Sequence, residues 1–121
     1  MPVSDVFIIS AVRTAIGIGK PNGALFHYQP VELAATVMAE AARRAEIGPE
    51  RIEDVLWGIV TPLGDQGGNL ARLAALKAGF PVSVGGVSIN RMCGSGQQAV
   101  HFAAQATKSY LPSPEYGDQK K

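Results

Sequence analysis

The sequence predicts an α/β fold, ordered β-α-β-α-β-α, with a mostly parallel sheet and helices on its faces. Three observations point there. Near-continuous apolar runs rich in β-branched residues recur at Val6–Val12, Val55–Val60 and Val84–Ile89, as strands covered on both faces require. Each run is followed by a stretch with apolar residues at helical spacing, and Gly-, Pro- and Asn-rich clusters punctuate the boundaries.

The first strand is predicted to end at Arg13-Thr14. Gly17, Gly19, Pro21, Asn22 and Gly23 then mark a loop that runs to Gln29. From Pro30, which suits a first helical turn, the stripe Val31, Ala34, Ala35, Met38, Ala42 and Ala45 predicts a helix that Gly48-Pro49 stops. The second strand closes at Thr61-Pro62. A second helix carries Leu70, Leu73, Ala74, Ala75 and Ala78, with Asn69 as N-cap and Gly79 as its stop. The third strand leads through Cys93-Gly94-Ser95-Gly96 into a third helix bearing Ala99, Val100, Phe102, Ala103 and Ala106. Residues 107–121 carry no period and are expected to be an unrelated, disordered tail.

At 121 residues the chain has the length of one domain, with 46% hydrophobic and 17% charged residues. Eleven basic against ten acidic residues give a net charge of +1, which excludes the concentrated basic footprint of a nucleic-acid or acidic-membrane partner. No apolar run approaches the ~20 residues that cross a bilayer, and Met1–Asp5 lacks the order of a signal peptide. A single cysteine, Cys93, excludes an internal disulfide and a multi-cysteine metal site. These features predict a cytoplasmic protein without a metal.

Two glycine-rich segments are candidates for chemistry. Gly17-Ile18-Gly19-Lys20-Pro21-Asn22-Gly23 fails as a dinucleotide fingerprint, because Asn22 stands where the third glycine belongs and no helix begins before Pro30. Asn90-Arg91-Met92-Cys93-Gly94-Ser95-Gly96-Gln97-Gln98-Ala99 is more informative. Cys93 stands between a strand and a helix, where small residues admit a second reactant and free helix-start N–H groups favour an attacking thiolate. From the residues alone, a nucleophile and a buried small hydrophobe are equally open. His101, eight residues beyond Cys93, lies about 12 Å along a helix at ~1.5 Å per residue, and His27 falls in a loop. No pair of carboxylates is spaced for acid/base work.

Several separate stretches, in order, resemble the N-terminal part of thiolases, the acyl-CoA acetyltransferases that make or cleave 3-ketoacyl-CoA. They are Ile8-Ile9-Ser10-Ala11-Val12-Arg13-Thr14, Asp54-Val55-Leu56-Trp57-Gly58, Gly68-Asn69-Leu70-Ala71-Arg72 and Ala74-Ala75-Leu76-Lys77-Ala78-Gly79. The most specific is the stretch around Cys93. The resemblance implies an incomplete thiolase-like half-domain over residues 1–106, with Cys93 as the catalytic nucleophile of a two-step acyl transfer. It also implies a Cys93 acyl-enzyme, the Cys93 backbone N–H as one oxyanion donor, and CoA and acyl-CoA as substrates with no cofactor. Fatty acid metabolism and a homo-oligomer are expected on the same ground.

In the family the activating histidine, a second cysteine, further oxyanion donors and the CoA-binding loop domain lie downstream of these stretches. The loss of pattern after Ala106 therefore predicts a truncated chain with an uncovered sheet edge and no turnover by itself. The alternative expectation is a non-catalytic fragment that associates with intact thiolase subunits. A thiol redox sensor fits less well, because no second cysteine is present to resolve an oxidised Cys93.

Overall fold

Two short parallel strands, three α-helices and two single 3-10 turns (Pro49–Arg51 and Gly64–Gln66) make up the architecture of the computed structural model, which describes residues 5–110. Strand β1 (Leu56–Gly58) pairs with β2 (Val87–Ile89) in the register Leu56 to Val87, Trp57 to Ser88 and Gly58 to Ile89. Backbone bonds continue past both ends. The Val87 N–H donates to Val55 O (2.8 Å), and the Ile59 N–H to Ile89 O (2.9 Å). The pairing joins the second and third predicted strands, with β-branched Val87 and Ile89 on one side of the ladder.

Helix α1 (Pro30–Arg44) and helix α2 (Leu70–Lys77) cover the sheet. Ala34 and Met38 of α1 meet Ala74 and Ala75 of α2, with Phe80 and Val84 completing the core. Alanines at the contact let the two helices approach closely, and Ala71 and Ala74 are fully buried. Asn69 caps α2 as expected, its Oδ1 accepting from the Arg72 N–H at 3.3 Å, while its Nδ2 donates to Gly86 O at 2.7 Å. One side chain thus ends an orphan donor and ties the helix to β2.

Both helices end in the same hydrogen-bonded turn. After α2, Gly79 at φ +82 lets Phe80 N–H reach Ala75 O, placing the buried Phe80 ring in the core. After α1, Glu46 takes the left-handed position at φ +54 and Ile47 N–H reaches Ala42 O. The stop expected at Gly48-Pro49 therefore falls earlier, because the turn closes on backbone bonds before the proline is reached.

Two expectations are corrected. The run Val6–Val12 forms no strand in the described residues: Phe7, Ile8 and Ile9 are 75%, 78% and 64% exposed. Ser10–Val12 do lie beside α1 and β1, bordering an open cavity of about 420 Å³ with Met38 and Trp57. With no ladder partner the run's preference for pairing goes unmet, and the buried Ser10 Oγ finds no hydrogen bond. At the other end, helix α3 (Ser95–Tyr110) runs four residues past the boundary expected at 106. Thr107 and Ser109 remain helical, their hydroxyls donating to Ala103 O and Ala106 O (both 2.8 Å). The remainder of the predicted tail, 111–121, lies outside the described residues. Among the described residues no helix is long and apolar enough to cross a membrane.

Gly58 places α3. A Cβ there would stand 2.4 Å from Ser95 C and Gly96 N, so strand and helix touch backbone to backbone. Gly58→Ala is expected to destabilise the protein by about 1–3 kcal/mol through overpacking. Gly96→Ala, whose Cβ meets nothing within 4 Å, should cost much less; urea unfolding of both variants checks the contrast.

At the end of α1, Glu40 accepts from Arg43 Nε (2.7 Å) and Arg44 Nε (2.6 Å). Hydrogen bonds from Arg43 and then Arg44 hold its carboxyl down from 4.5 to about 2. The folded-state value is depressed, so the stabilisation is present above 4.5 and lost as pH falls through about 2. Glu40→Gln should remove that part of the acid dependence, read as a smaller change in urea midpoint across the same window.

Candidate active site

The chain reverses direction between the C-terminal end of β2 and the start of α3, and Cys93 stands on that reversal. In open α/β sheets the carboxyl ends of parallel strands are where reactive groups collect. Asn90 opens the turn. Its Oδ1 accepts from the Met92 N–H at 2.9 Å, and its Nδ2 donates to Val60 O at 3.2 Å. Met92 itself is left-handed, with φ +49.

Ser95 closes the turn from beneath and is only 2% exposed. Its Oγ accepts from the Arg91 N–H at 2.9 Å and donates to Met92 O at 2.6 Å, with Ile59 O a longer second acceptor at 3.4 Å. The Ser95 N–H also donates to Met92 O, at 3.1 Å. Between these anchored neighbours the Cys93 side chain is exposed and free of any disulfide. In this structure Cys93 is an exposed thiol and not a buried small hydrophobe.

The first helical bond of α3 runs from Gln98 N–H to Gly94 O at 2.9 Å. The N–H groups of Gly96 and Gln97 have no acceptor among the described residues. Free donors and the positive end of the helix dipole thus lie just after the thiol. A sulfur nucleophile beside unpaired N–H groups is suited to attack a carbonyl carbon and to stabilise the oxygen that becomes negative.

His101 is not brought to Cys93. It lines a recess of about 290 Å³ with Arg91, Gly94, Gln97 and Gln98, where an Arg91 Nη1–H donates to Gln98 Oε1. No hydrogen bond links His101 to the thiol among the described residues, in keeping with its helical spacing. His27 packs edge-on against Phe26, with ring centroids 5.4 Å apart, in the loop before α1. The Gly17–Gly23 segment is turn and loop, with no helix start before Pro30. No group of three or more His, Cys, Asp or Glu residues able to hold a metal occurs among the described residues.

The positional roles of Asn90, Met92 and Ser95 escape a reading of the sequence. An asparagine opening a turn is a usable signal for Asn90. Ser95 reads as a helix-start residue, and nothing local shows that its hydroxyl turns back under the loop.

Residues 6–110 match the family described as thiolase, N-terminal domain. A steroid 3-ketoacyl-CoA thiolase of Mycobacterium tuberculosis is 45% identical over 107 residues, covering 88% of this chain and 26% of that protein. A 3-ketoacyl-CoA thiolase of Vibrio cholerae is 43% identical over 105 residues, covering 86% and 27%. The crystal structure of the Bacillus anthracis acetyl-CoA acetyltransferase superposes with a TM-score of 0.65 at 43% identity, covering 73% of this chain and 21% of that one. The chain thus spans about a quarter of the length of the curated relatives it matches.

An exposed thiol should alkylate without unfolding. Iodoacetamide is expected to add one group, at Cys93, to the native chain at a rate within about threefold of the urea-unfolded chain, followed by intact mass. A thiol reached only through unfolding would lag by about a hundredfold or more.

Proposed function

The chain belongs to the thiolase family, and from that membership we propose that it carries the nucleophile of an acyl transfer between CoA thioesters. The supporting observation is the exposed Cys93 on an anchored strand-to-helix turn, inside the stretch that matches the family. The Cys93 sulfur attacks the thioester carbonyl of an acyl-CoA. The carbonyl oxygen takes the negative charge, with the Cys93 N–H as its donor. As the carbonyl re-forms, the C–S bond to CoA breaks and CoA leaves as a thiol with the proton that Cys93 gave up. The acyl group stays on sulfur as a new thioester. A second CoA species then completes the exchange.

The base that takes the Cys93 proton, and the group that handles the α-proton of the second substrate, are assigned to family elements other than these residues. His101 is not given that role, since no hydrogen bond links it to the thiol among the described residues and it stands eight positions further along the chain. The proposal for this chain by itself is therefore slow acylation without turnover. A reducing, cytoplasmic setting suits its single exposed thiol. A second reading, an interaction fragment that docks on intact thiolase subunits, is favoured by the exposure of Phe7 and Ile8. Co-purification with such a subunit, with Cys93 silent, would select it.

Incubation with acetyl-CoA is expected to add one acetyl group per chain by intact mass, and Cys93→Ala to abolish the gain. No gain in the unsubstituted chain, or a gain that survives Cys93→Ala, overturns the proposal.

A further inference from the structure

We propose that Ser95, supported by Asn90, is a positioning residue that sets the direction of the Cys93 N–H by holding the peptide plane between Met92 and Cys93. The inference rests on the acyl-transfer role given to Cys93. Met92 occupies the left-handed region at φ +49, which a residue with a side chain adopts at a cost and keeps only where its surroundings over-determine it. Those surroundings are present on both sides of Met92. Its N–H is taken by Asn90 Oδ1 at 2.9 Å, and its C=O is taken twice by Ser95, through Oγ at 2.6 Å and N–H at 3.1 Å.

The Met92 C=O and the Cys93 N–H belong to one planar trans peptide, so they point in opposite directions. Holding the carbonyl inward on the buried Ser95 hydroxyl turns the Cys93 N–H away from it. Ser95 is in turn seated on the sheet, since its Oγ accepts from the Arg91 N–H at 2.9 Å and faces Ile59 O at 3.4 Å. Asn90 reaches the next carbonyl, Val60 O, at 3.2 Å. Both anchors therefore refer the turn to the end of β1. Without the hydroxyl the Met92 carbonyl keeps only the longer bond from the Ser95 N–H at 3.1 Å, so the peptide is held less firmly and the oxyanion donor is less well aimed, while the sulfur stays exposed.

The prediction separates two reactions of the same thiol. Acylation by acetyl-CoA develops an oxyanion and needs the donor; alkylation by iodoacetamide displaces iodide and does not. Ser95→Ala should slow acylation at least about tenfold and leave alkylation within about threefold, with the circular dichroism spectrum retained. Ser95→Thr, which keeps the hydroxyl, should restore acylation to within about threefold. Equal loss in both variants assigns the effect to packing and overturns the proposal, as does parallel loss of both reactions in Ser95→Ala. Amide exchange supplies a readout that needs no acyl transfer: the Arg91 N–H donates to Ser95 Oγ and the Ser95 N–H to Met92 O, so Ser95→Ala should speed exchange at Arg91 and at position 95 at least about tenfold while the amides of α2 keep theirs. If the unsubstituted chain takes no acetyl group, the acyl-transfer role fails and exchange alone decides the positioning, unchanged exchange overturning it. Should Ser95→Ala not fold, Asn90→Ala is measured the same way at Met92 and Ser95, whose N–H groups donate to Asn90 Oδ1 and Met92 O, with the same outcomes.

Discussion

Backbone meets backbone where Gly58 of β1 faces the first turn of α3, and the geometry around Cys93 depends on that contact. Only a residue without Cβ permits the approach. Because the helix comes so close, the hydroxyl of Ser95 lies under the turn and faces the Ile59 carbonyl. Because the turn follows directly from β2, Asn90 reaches Val60. The two side chains hold a strained Met92 between them, and Cys93 is left exposed at a fixed place. A single glycine in a strand thus governs the placement of a cysteine thirty-five positions later.

The supporting core is built differently. Alanines of α1 and α2 meet, Phe80 and Val84 fill the end, and the Arg72 guanidinium crosses to the carbonyls of Val82 and Val84. Alanine side chains bury little apolar area each, at roughly 25 cal/mol per Å², so this core relies on close packing more than on bulk. Meanwhile Phe7, Ile8, Ile9 and Ile16 remain exposed. The same chain aligns with about a quarter of its relatives' length.

Much of the local structure was legible in the residues. Pro30, Asn69 and Gly79 mark helix boundaries through local chemistry, namely a preset φ, a side-chain acceptor and freedom at positive φ. Each acts within a few residues, so each is visible in a short window. The run Val6–Val12 has the composition of a covered strand, yet composition records only a preference for pairing. A ladder needs a partner, and the neighbouring edge of β1 makes no such ladder with it. The continuation of α3 beyond Ala106 is not legible in the residues, because Thr and Ser weaken a helical pattern even when their hydroxyls bond back to the preceding turn.

For the turn after β2, the sequence by itself determined which residue is the candidate nucleophile: the single cysteine, between a strand and a helix, with glycines after it and a thiolase-like order of motifs around it. It also determined that neither histidine stands near it along the chain. Only the tertiary structure decided that the thiol is exposed, that Met92 is left-handed, and that Ser95 faces inward to hold the peptide before Cys93. The reason is range. Periodicity and capping act over a few residues, whereas the carbonyls that seat Ser95 and Asn90 belong to positions 59 and 60, on another strand, and reach the turn only through folding.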